Sequence, residues 1–298
     1  VSILLDAETR VLVQGITGWQ ARTHVKYMVK YGTRVVGGVS PGKGGQAVDG
    51  IPVYDTVREA VAVAPADLAV LFIPGPAVKD AALEAIAAGI PSLVILAEGV
   101  PHHDAAEILA RARRRQVRVI GPNSQGMISP GQAKVGGTGG SEPARMFRPG
   151  PVGIVSRSGG MGGEIASALT RAGIGQSTYV AIGGDLMIGT AFVDLLPLYQ
   201  ADPETRAVVL FGEPGTGHEE AAAEYIGAGK FTKPVVALVV GEAIERLPRE
   251  LSFGHTSALI ERGLGSPRRK KALLREAGVR VAESFNELPG LVADALKE

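Results

Sequence analysis

The stretch Arg10-Val11-Leu12-Val13-Gln14-Gly15-Ile16-Thr17-Gly18-Trp19-Gln20-Ala21 decides the fold. Its apolar residues are consecutive, not alternating, as expected of a strand buried on both faces. The strand Arg10 to Gln14 ends in a glycine turn. A helix can follow from Trp19 to Tyr31, and Arg34 to Val39 is a second apolar strand. The same alternation continues. Asp55 to Ala64 is helical with Asp55 as N-cap, and Leu68 to Ile73 is a strand closed by Pro74-Gly75-Pro76. Val78 to Ala88 is a helix, Leu93 to Ala97 a strand, His103 to Arg115 a helix and Val117 to Ile120 a strand. Strands of this kind joined by helices specify a parallel, Rossmann-like sheet.

From Ser129 to Pro151 the chain is rich in Gly and Pro and has no periodicity, the pattern of a linker. The alternation then restarts. Strands are expected at Gly153 to Val155, Ser177 to Ile182, Ala207 to Phe211, Val235 to Val240 and Val279 to Ala282. Helices are expected at Gly163 to Ala172, Thr190 to Tyr199, Glu219 to Ala228, Lys270 to Ala277 and Phe285 to Leu296. The fold class is therefore α/β with two doubly wound parallel-sheet domains. Their expected extents are 1–128 and 152–298, with 129–151 between them.

Composition narrows the function. The 298 residues suffice for two ordinary domains, and 45% hydrophobic against 20% charged residues is the balance of a soluble globular protein. A net charge of +1 gives no field for nucleic acid or an acidic membrane, so neither is expected as a partner. No apolar run is long enough to span a bilayer. The opening Val-Ser-Ile-Leu-Leu-Asp has no basic region and no signal-peptide core. The absence of cysteine removes disulfides, thiolate zinc sites and cysteine nucleophiles. Histidines and carboxylates show no metal-ligand spacing, and the cytoplasm is the expected location.

Three turns suit phosphate. Gly15-Ile16-Thr17-Gly18-Trp19-Gln20-Ala21 has G-x-x-G-x-x-A spacing, not the G-x-G-x-x-G of dinucleotide sites. Its glycines let the backbone approach a diphosphate, and the next helix offers free N–H groups; the same residues also serve as a plain tight turn. A nicotinamide site further requires an acidic residue after the second strand. Here that position reads Gly37-Gly38-Val39-Ser40-Pro41-Gly42-Lys43-Gly44-Gly45, with a lysine and no carboxylate. Lys43 suits a ligand with additional phosphate, such as coenzyme A, and would otherwise be a solvated loop lysine. The third turn, Ser156-Arg157-Ser158-Gly159-Gly160, offers hydroxyls and N–H groups at a helix start, more than a single N-cap requires. No G-x-x-x-x-G-K-[ST] loop occurs, so the chain has no P-loop.

His255, in Ser252-Phe253-Gly254-His255-Thr256-Ser257-Ala258, is a candidate nucleophile, since imidazole reacts well near neutral pH. Glu213, in Phe211-Gly212-Glu213-Pro214-Gly215 just past a strand end, could accept the N–H of His255 and leave its other nitrogen free. Asp185, after Gly183-Gly184, is a similar candidate. Taken singly, each of these residues also reads as an ordinary surface group.

Together these blocks resemble the α subunit of succinyl-CoA synthetase, the nucleoside-diphosphate-forming succinate–CoA ligases. The resemblance runs almost end to end. It rests on Gln14 to Gly18, Gly37 to Gly45, Gly121-Pro122-Asn123, Ile154 to Gly159, Gly183-Gly184-Asp185, Gly212-Glu213 and Gly254-His255. It implies a CoA-binding Rossmann-like domain followed by a flavodoxin-like ligase domain. It implies CoA contacts from Thr17, Gly18, Trp19, Gln20, Ser40, Pro41 and Lys43, with Leu96, Ala97, Glu98 and Asn123 nearby. It implies a phosphohistidine at His255 oriented by Glu213, with the phosphate held by Ser156, Arg157, Ser158, Gly159 and Gly160. It implies a β partner of ATP-grasp fold carrying ATP or GTP with Mg2+, in an αβ or α2β2 assembly, and a small carboxylic acid as substrate.

The chain departs from this pattern in places. Ser124 stands where a cysteine is usual. Gly162-Gly163 replaces a threonine–tyrosine pair near the acid, so Gly163 marks the substrate position. The segment 242–252 is longer than the family's lysine-containing loop, and Thr256-Ser257 replaces an alanine–glycine pair. These departures lean towards ADP-forming acyl-CoA synthetases acting on another acid. Two further readings remain: a non-catalytic CoA-binding regulatory protein, and a nicotinamide dehydrogenase. Retention of His255, Glu213 and the serine turn counts against the first. The missing acidic residue counts against the second.

Overall fold

The structure is a computed structural model that describes residues 2–243, 255 and 265–298. Most of the 242–252 segment, the pair Thr256-Ser257 and Val1 lie outside the described residues. The first half runs β1 (Arg10–Gln14), α1 (Trp19–Tyr31), β2 (Arg34–Val39), β3 (Ala47–Val48), β4 (Ile51–Tyr54), α2 (Val57–Val63), β5 (Leu68–Leu71), α3 (Val78–Ala87), β6 (Ser92–Ile95), α4 (His102–Arg114) and β7 (Arg118–Ile120). Its strands lie in the order β3-β4-β2-β1-β5-β6-β7. All neighbouring pairs are parallel except β3 with β4. The consecutive apolar residues explain this: every residue of β5 is buried, with helices on both faces of the sheet. Fully burying one such side chain stabilises the fold by roughly 1.5–3 kcal/mol.

The second half contains β8 (Gly126–Ser129), β9 (Ala133–Gly136), β10 (Pro149–Ser156), α5 (Gly159–Arg171), β11 (Gln176–Ala181), α6 (Phe192–Ala201), β12 (Ala207–Gly212) and α7 (His218–Gly227). It closes with β13 (Val235–Val239), α8 (Pro267–Glu276), β14 (Arg280–Ala282) and α9 (Leu288–Ala295). The sheet order is β14-β13-β12-β10-β11-β8-β9. Strands β10 to β14 are parallel, and the hairpin β8–β9 adds to β11 antiparallel. Both sheets are thus parallel at the centre and antiparallel at one edge.

Several local details differ from the sequence reading. The 129–151 stretch carries β9 and the start of β10, because its polar and glycine residues form a hairpin edge whose partner, β11, is distant in sequence. Lys134 of β9 is fully buried; its Nζ donates to the Gly140 carbonyl at 2.7 Å, and burial lowers its pKa to about 8. The N-cap of α2 is Thr56, whose hydroxyl accepts from the Glu59 N–H, while Asp55 accepts from the Gly44 N–H at 2.9 Å. Asp55 therefore holds the Lys43 loop in place of the helix. Helix α5 begins at Gly159 rather than Gly163, capped by Ser158.

Candidate active site at two sheet edges

In a doubly wound sheet, ligands collect beyond the carboxyl ends of the strands, where connections leave in opposite directions. In the first sheet that point lies between β1 and β5. Gly15, with φ of +78°, makes the turn after β1; a side chain there would bring its Cβ within 2.4 Å of the Phe72 carbonyl oxygen after β5. The turn delivers α1 with Gly18 as N-cap and no side chain satisfying the first N–H groups. A cleft of about 680 Å³ opens there. It is lined by Gly18, Trp19 and Gln20 from α1, Phe72 to Gly75 after β5, Leu96, Ala97 and Glu98 after β6, and Ser124 and Gln125. Trp19 is 77% exposed, an unusual position for a large apolar ring. Thr17 and Ser40 lock the neighbouring turns through their hydroxyls at 3.0 Å, with Ser40 buried. Pro41 and Lys43 project from the adjacent loop, fully exposed.

Some lining residues were not legible as site residues. His24 lines the cleft, stacks on Phe72 at 5.8 Å, and has a buried Nδ1 without a hydrogen-bond partner. Burial, reinforced by the charge of Lys134, lowers its pKa and keeps it neutral.

In the second sheet the corresponding edge lies beyond β10, β11 and β12, and it collects the remaining candidates. Ser156 ends β10 and donates to the Ser158 carbonyl at 2.5 Å. Ser158 caps α5 by accepting from the Met161 N–H. Gly159 packs against Gln125, and Gly160 is exposed with open space on its side-chain face. Arg157 is fully buried, and its Nη1 donates to the Thr216 hydroxyl at 3.0 Å, tying the α5 turn to the loop before α7. Helix α7 starts at His218 after Gly217, again with no side-chain cap. Two helix amino ends thus adjoin, each with positive dipole character.

His255 meets Glu213 here: Nδ1 lies 2.6 Å from Glu213 Oε2, with the side chains 28% and 12% exposed. The carboxylate hydrogen bond raises the His255 pKa above that of free imidazole, against desolvation and the Arg157 charge, which lower it. Under the ring lies Gly184; an added Cβ would stand 2.5 Å from His255 Cγ and Cδ2. Asp185 beside it accepts from Asn123 Nδ2 at 3.0 Å. Burial, with the Glu98 charge adding to it, raises the Asp185 pKa.

Asn123 belongs to the turn after β7, so its bond to Asp185 links the two sheets' edges. Ser124 does the same: its N–H donates to the Ile95 carbonyl and its hydroxyl to the Ala181 carbonyl at 2.5 Å. Glu98, in the wall of the first cleft, contributes to the electrostatics of both His255 and Asp185. The sequence candidates therefore fall at two adjoining edges. Gly163 stands apart: it is buried inside α5, and its side-chain face meets Met146 of the domain core. Among the described residues no group of three or more His, Cys, Asp or Glu forms a metal cluster, and no helix is long and apolar enough to cross a membrane.

A parallel sheet with a cleft at its switch point, followed by a second sheet presenting a carboxylate-held histidine beside two helix amino ends, is an arrangement consistent with the acid–CoA ligase class. Comparison with known proteins agrees. Residues 6–99 match the CoA binding domain, and residues 149–293 match the succinyl-CoA ligase like flavodoxin domain. The chain belongs to the succinate–CoA ligase α-subunit family. It is 47% identical over 296 residues to succinate–CoA ligase [ADP-forming] subunit alpha 2 of Archaeoglobus fulgidus, covering 99% of this chain and 100% of that one. It is 43% identical to an ADP-forming sulfoacetate-CoA ligase subunit of an Acholeplasma species, covering 95% and 94%. Among solved structures, ATP citrate lyase of Methanosaeta concilii in complex with (3S)-citryl-CoA superposes with a TM-score of 0.91 at 28% identity. That match covers 99% of this chain and 50% of the lyase, so the chain corresponds to half of that protein.

Proposed function

We propose that this chain is the α subunit of an ADP-forming acid–CoA ligase that carries the phosphoryl group on His255. The single observation supporting this most directly is the 2.6 Å contact of His255 Nδ1 with Glu213, beside two uncapped or lightly capped helix amino ends. With Nδ1–H donated to the carboxylate, Nε2 keeps its lone pair for attack. A β partner of ATP-grasp fold would hold ATP or GTP with Mg2+ and supply the phosphoryl group, in an αβ or α2β2 assembly in the cytoplasm.

The chemistry then follows. A carboxylate is a poor acyl donor because oxide is a poor leaving group. His255 Nε2 takes the γ-phosphoryl group as nucleoside diphosphate leaves. A carboxylate oxygen of the acid displaces the histidine from phosphorus, giving an acyl phosphate. The CoA thiolate attacks the acyl carbon, and inorganic phosphate departs; the sequence is reversible. The turn Ser156 to Gly160 would receive the phosphate with N–H groups fixed in advance, which costs no reorganisation at the moment of reaction. Thr17 to Gln20, Ser40, Pro41 and Lys43 would hold CoA, with Leu96 to Glu98 and Asn123 guiding it towards the second edge.

The acid is the open term. Gly162 and Gly163 carry no side chain, and Gly163 faces Met146 in the domain core, so selection of the acid by an aromatic ring at these positions is not expected. A small carboxylate bearing a second anionic group, such as succinate or sulfoacetate, fits the relatives' range. The test is reconstitution with the β partner, CoA and γ-labelled ATP over a panel of such acids. Acid-labile label on the chain, lost in His255→Asn, is expected; label that survives this substitution overturns the assignment.

A further inference from the structure

Lys270 lies in Arg268-Arg269-Lys270-Lys271, a run that reads as a solvated basic patch, yet its side chain is 0% exposed. An ammonium has three donors, and all three find acceptors: the Glu213 carbonyl at 2.7 Å, the Gly215 carbonyl at 2.5 Å and Glu219 Oε2 at 2.5 Å. Glu219, also buried, uses its other oxygen to accept the Glu213 N–H at 3.0 Å. Glu220 Oε2 also lies 3.9 Å from the ammonium, and the Lys270–Glu219 pair at the centre of this buried cluster grips the backbone of Glu213 at both its N–H and its carbonyl. The following residues are clamped as well, since the Gly215 N–H donates to the Gly265 carbonyl at 2.8 Å, next to the start of α8.

We infer that Lys270 and Glu219 are positioning residues that fix the Glu213 backbone so that its carboxylate stays in register with His255 Nδ1. This rests on the proposed role of Glu213 and goes beyond it by naming what holds Glu213. Buried ion pairs are poor stabilisers compared with apolar replacements, so retaining one beneath a site residue suits a geometric role. The register is tight: Glu213, Arg157 and Glu98 all act on the charge of His255, His255 acts on that of Asp185, and Glu213 bonds the ring directly at 2.6 Å.

Removing one partner alone would strand a buried charge and threaten folding, so the test uses the double variant Glu219→Gln/Lys270→Met in the full chain with its β partner. Expected are unchanged CoA binding, a ten- to hundredfold slower labelling of His255, and an NMR titration of His255 displaced downward towards free imidazole. Glu213→Gln is measured in parallel. If Glu213→Gln leaves labelling and titration unaltered, the role of Glu213 itself fails. If Glu213→Gln impairs both while the double variant matches the parent in both, the positioning role of Lys270 and Glu219 fails. Should the double variant not fold, hydrogen exchange on the parent protein decides. The Glu213 amide is expected to be strongly protected, and rapid exchange there overturns the inference.

Discussion

The edge of the first sheet is built of exposed backbone and the edge of the second of buried charge. Around the cleft, Gly18, Trp19, Gln20, Pro41 and Lys43 all face solvent. Around His255, Arg157 and Lys270 are fully enclosed, and Glu219 and Asp185 nearly so. In the proposed function, a ligand as long as CoA would be recognised piecemeal by surface groups that barely depend on one another. The proposed nucleophile, meeting two substrates in turn, would need each group held by the next. Substitutions at the first edge are therefore expected to change one affinity, and substitutions at the second to move several groups together.

After the loss of label expected of His255→Asn, the largest expected effect is that of Gly184→Ala. Its Cβ would occupy the place of the His255 ring, so the ring must shift. Displacement of about 1 Å costs on the order of a hundredfold in rate. His255 labelling should fall at least that far with CoA affinity unchanged; parental labelling would show that the ring has room elsewhere.

Next comes Glu213→Gln, expected to slow labelling by one to two orders of magnitude, in the range of general acid–base contributions. Its pH dependence carries the sign. Glu213 raises the His255 pKa, so the parent imidazole stays protonated, and Nε2 blocked, to higher pH. The acid limb of the labelling profile should move to lower pH in the variant. Stability follows the same linkage. A raised histidine pKa contributes stability that is fully present below 6.5 and is lost as pH rises through the folded value. The melting difference between parent and variant should thus be larger in mildly acid than in alkaline buffer, and an equal difference at both would exclude the ion pair.

Lys43→Ala probes the other edge. One exposed charge-assisted contact to phosphate is worth about 1.5 kcal/mol, or roughly tenfold in CoA affinity by calorimetry. Phosphorylation should be untouched; loss of both would break the separation between the edges. The smallest effect is expected of Ser158→Ala, which removes the α5 cap for about 1 kcal/mol of stability, read by denaturant titration.

Much of this was legible in the sequence. The strands showed as runs of Val, Ile and Leu, and Glu213 stood out because it directly follows one such run. What escaped notice depends on long-range partners. Lys270 could be read only as the start of a helix, because its acceptors, Glu213, Gly215 and Glu219, are more than fifty residues away. The start of α5 was hidden by Gly159 to Gly163, since glycine disfavours helix by about 1 kcal/mol each. The packing of Gly162 against Tyr179 and of Gly159 against Gln125 requires the missing side chains there. Strand β9 falls in the stretch read as linker and β8 at the end of the expected first domain, because pairing with β11, not local periodicity, creates the hairpin.

Ser124 puts a hydroxyl, not a sulfur, in the wall of the first cleft. A thiol there could exchange with the oxidised dimer of a thiol substrate and remain trapped as a mixed disulfide. With an oxygen at position 124 and no sulfhydryl anywhere in the chain, that capture is chemically closed. In air, CoA is consumed by its own dimerisation while this polypeptide stays untouched by exchange, so a reductant restores the substrate and not the protein.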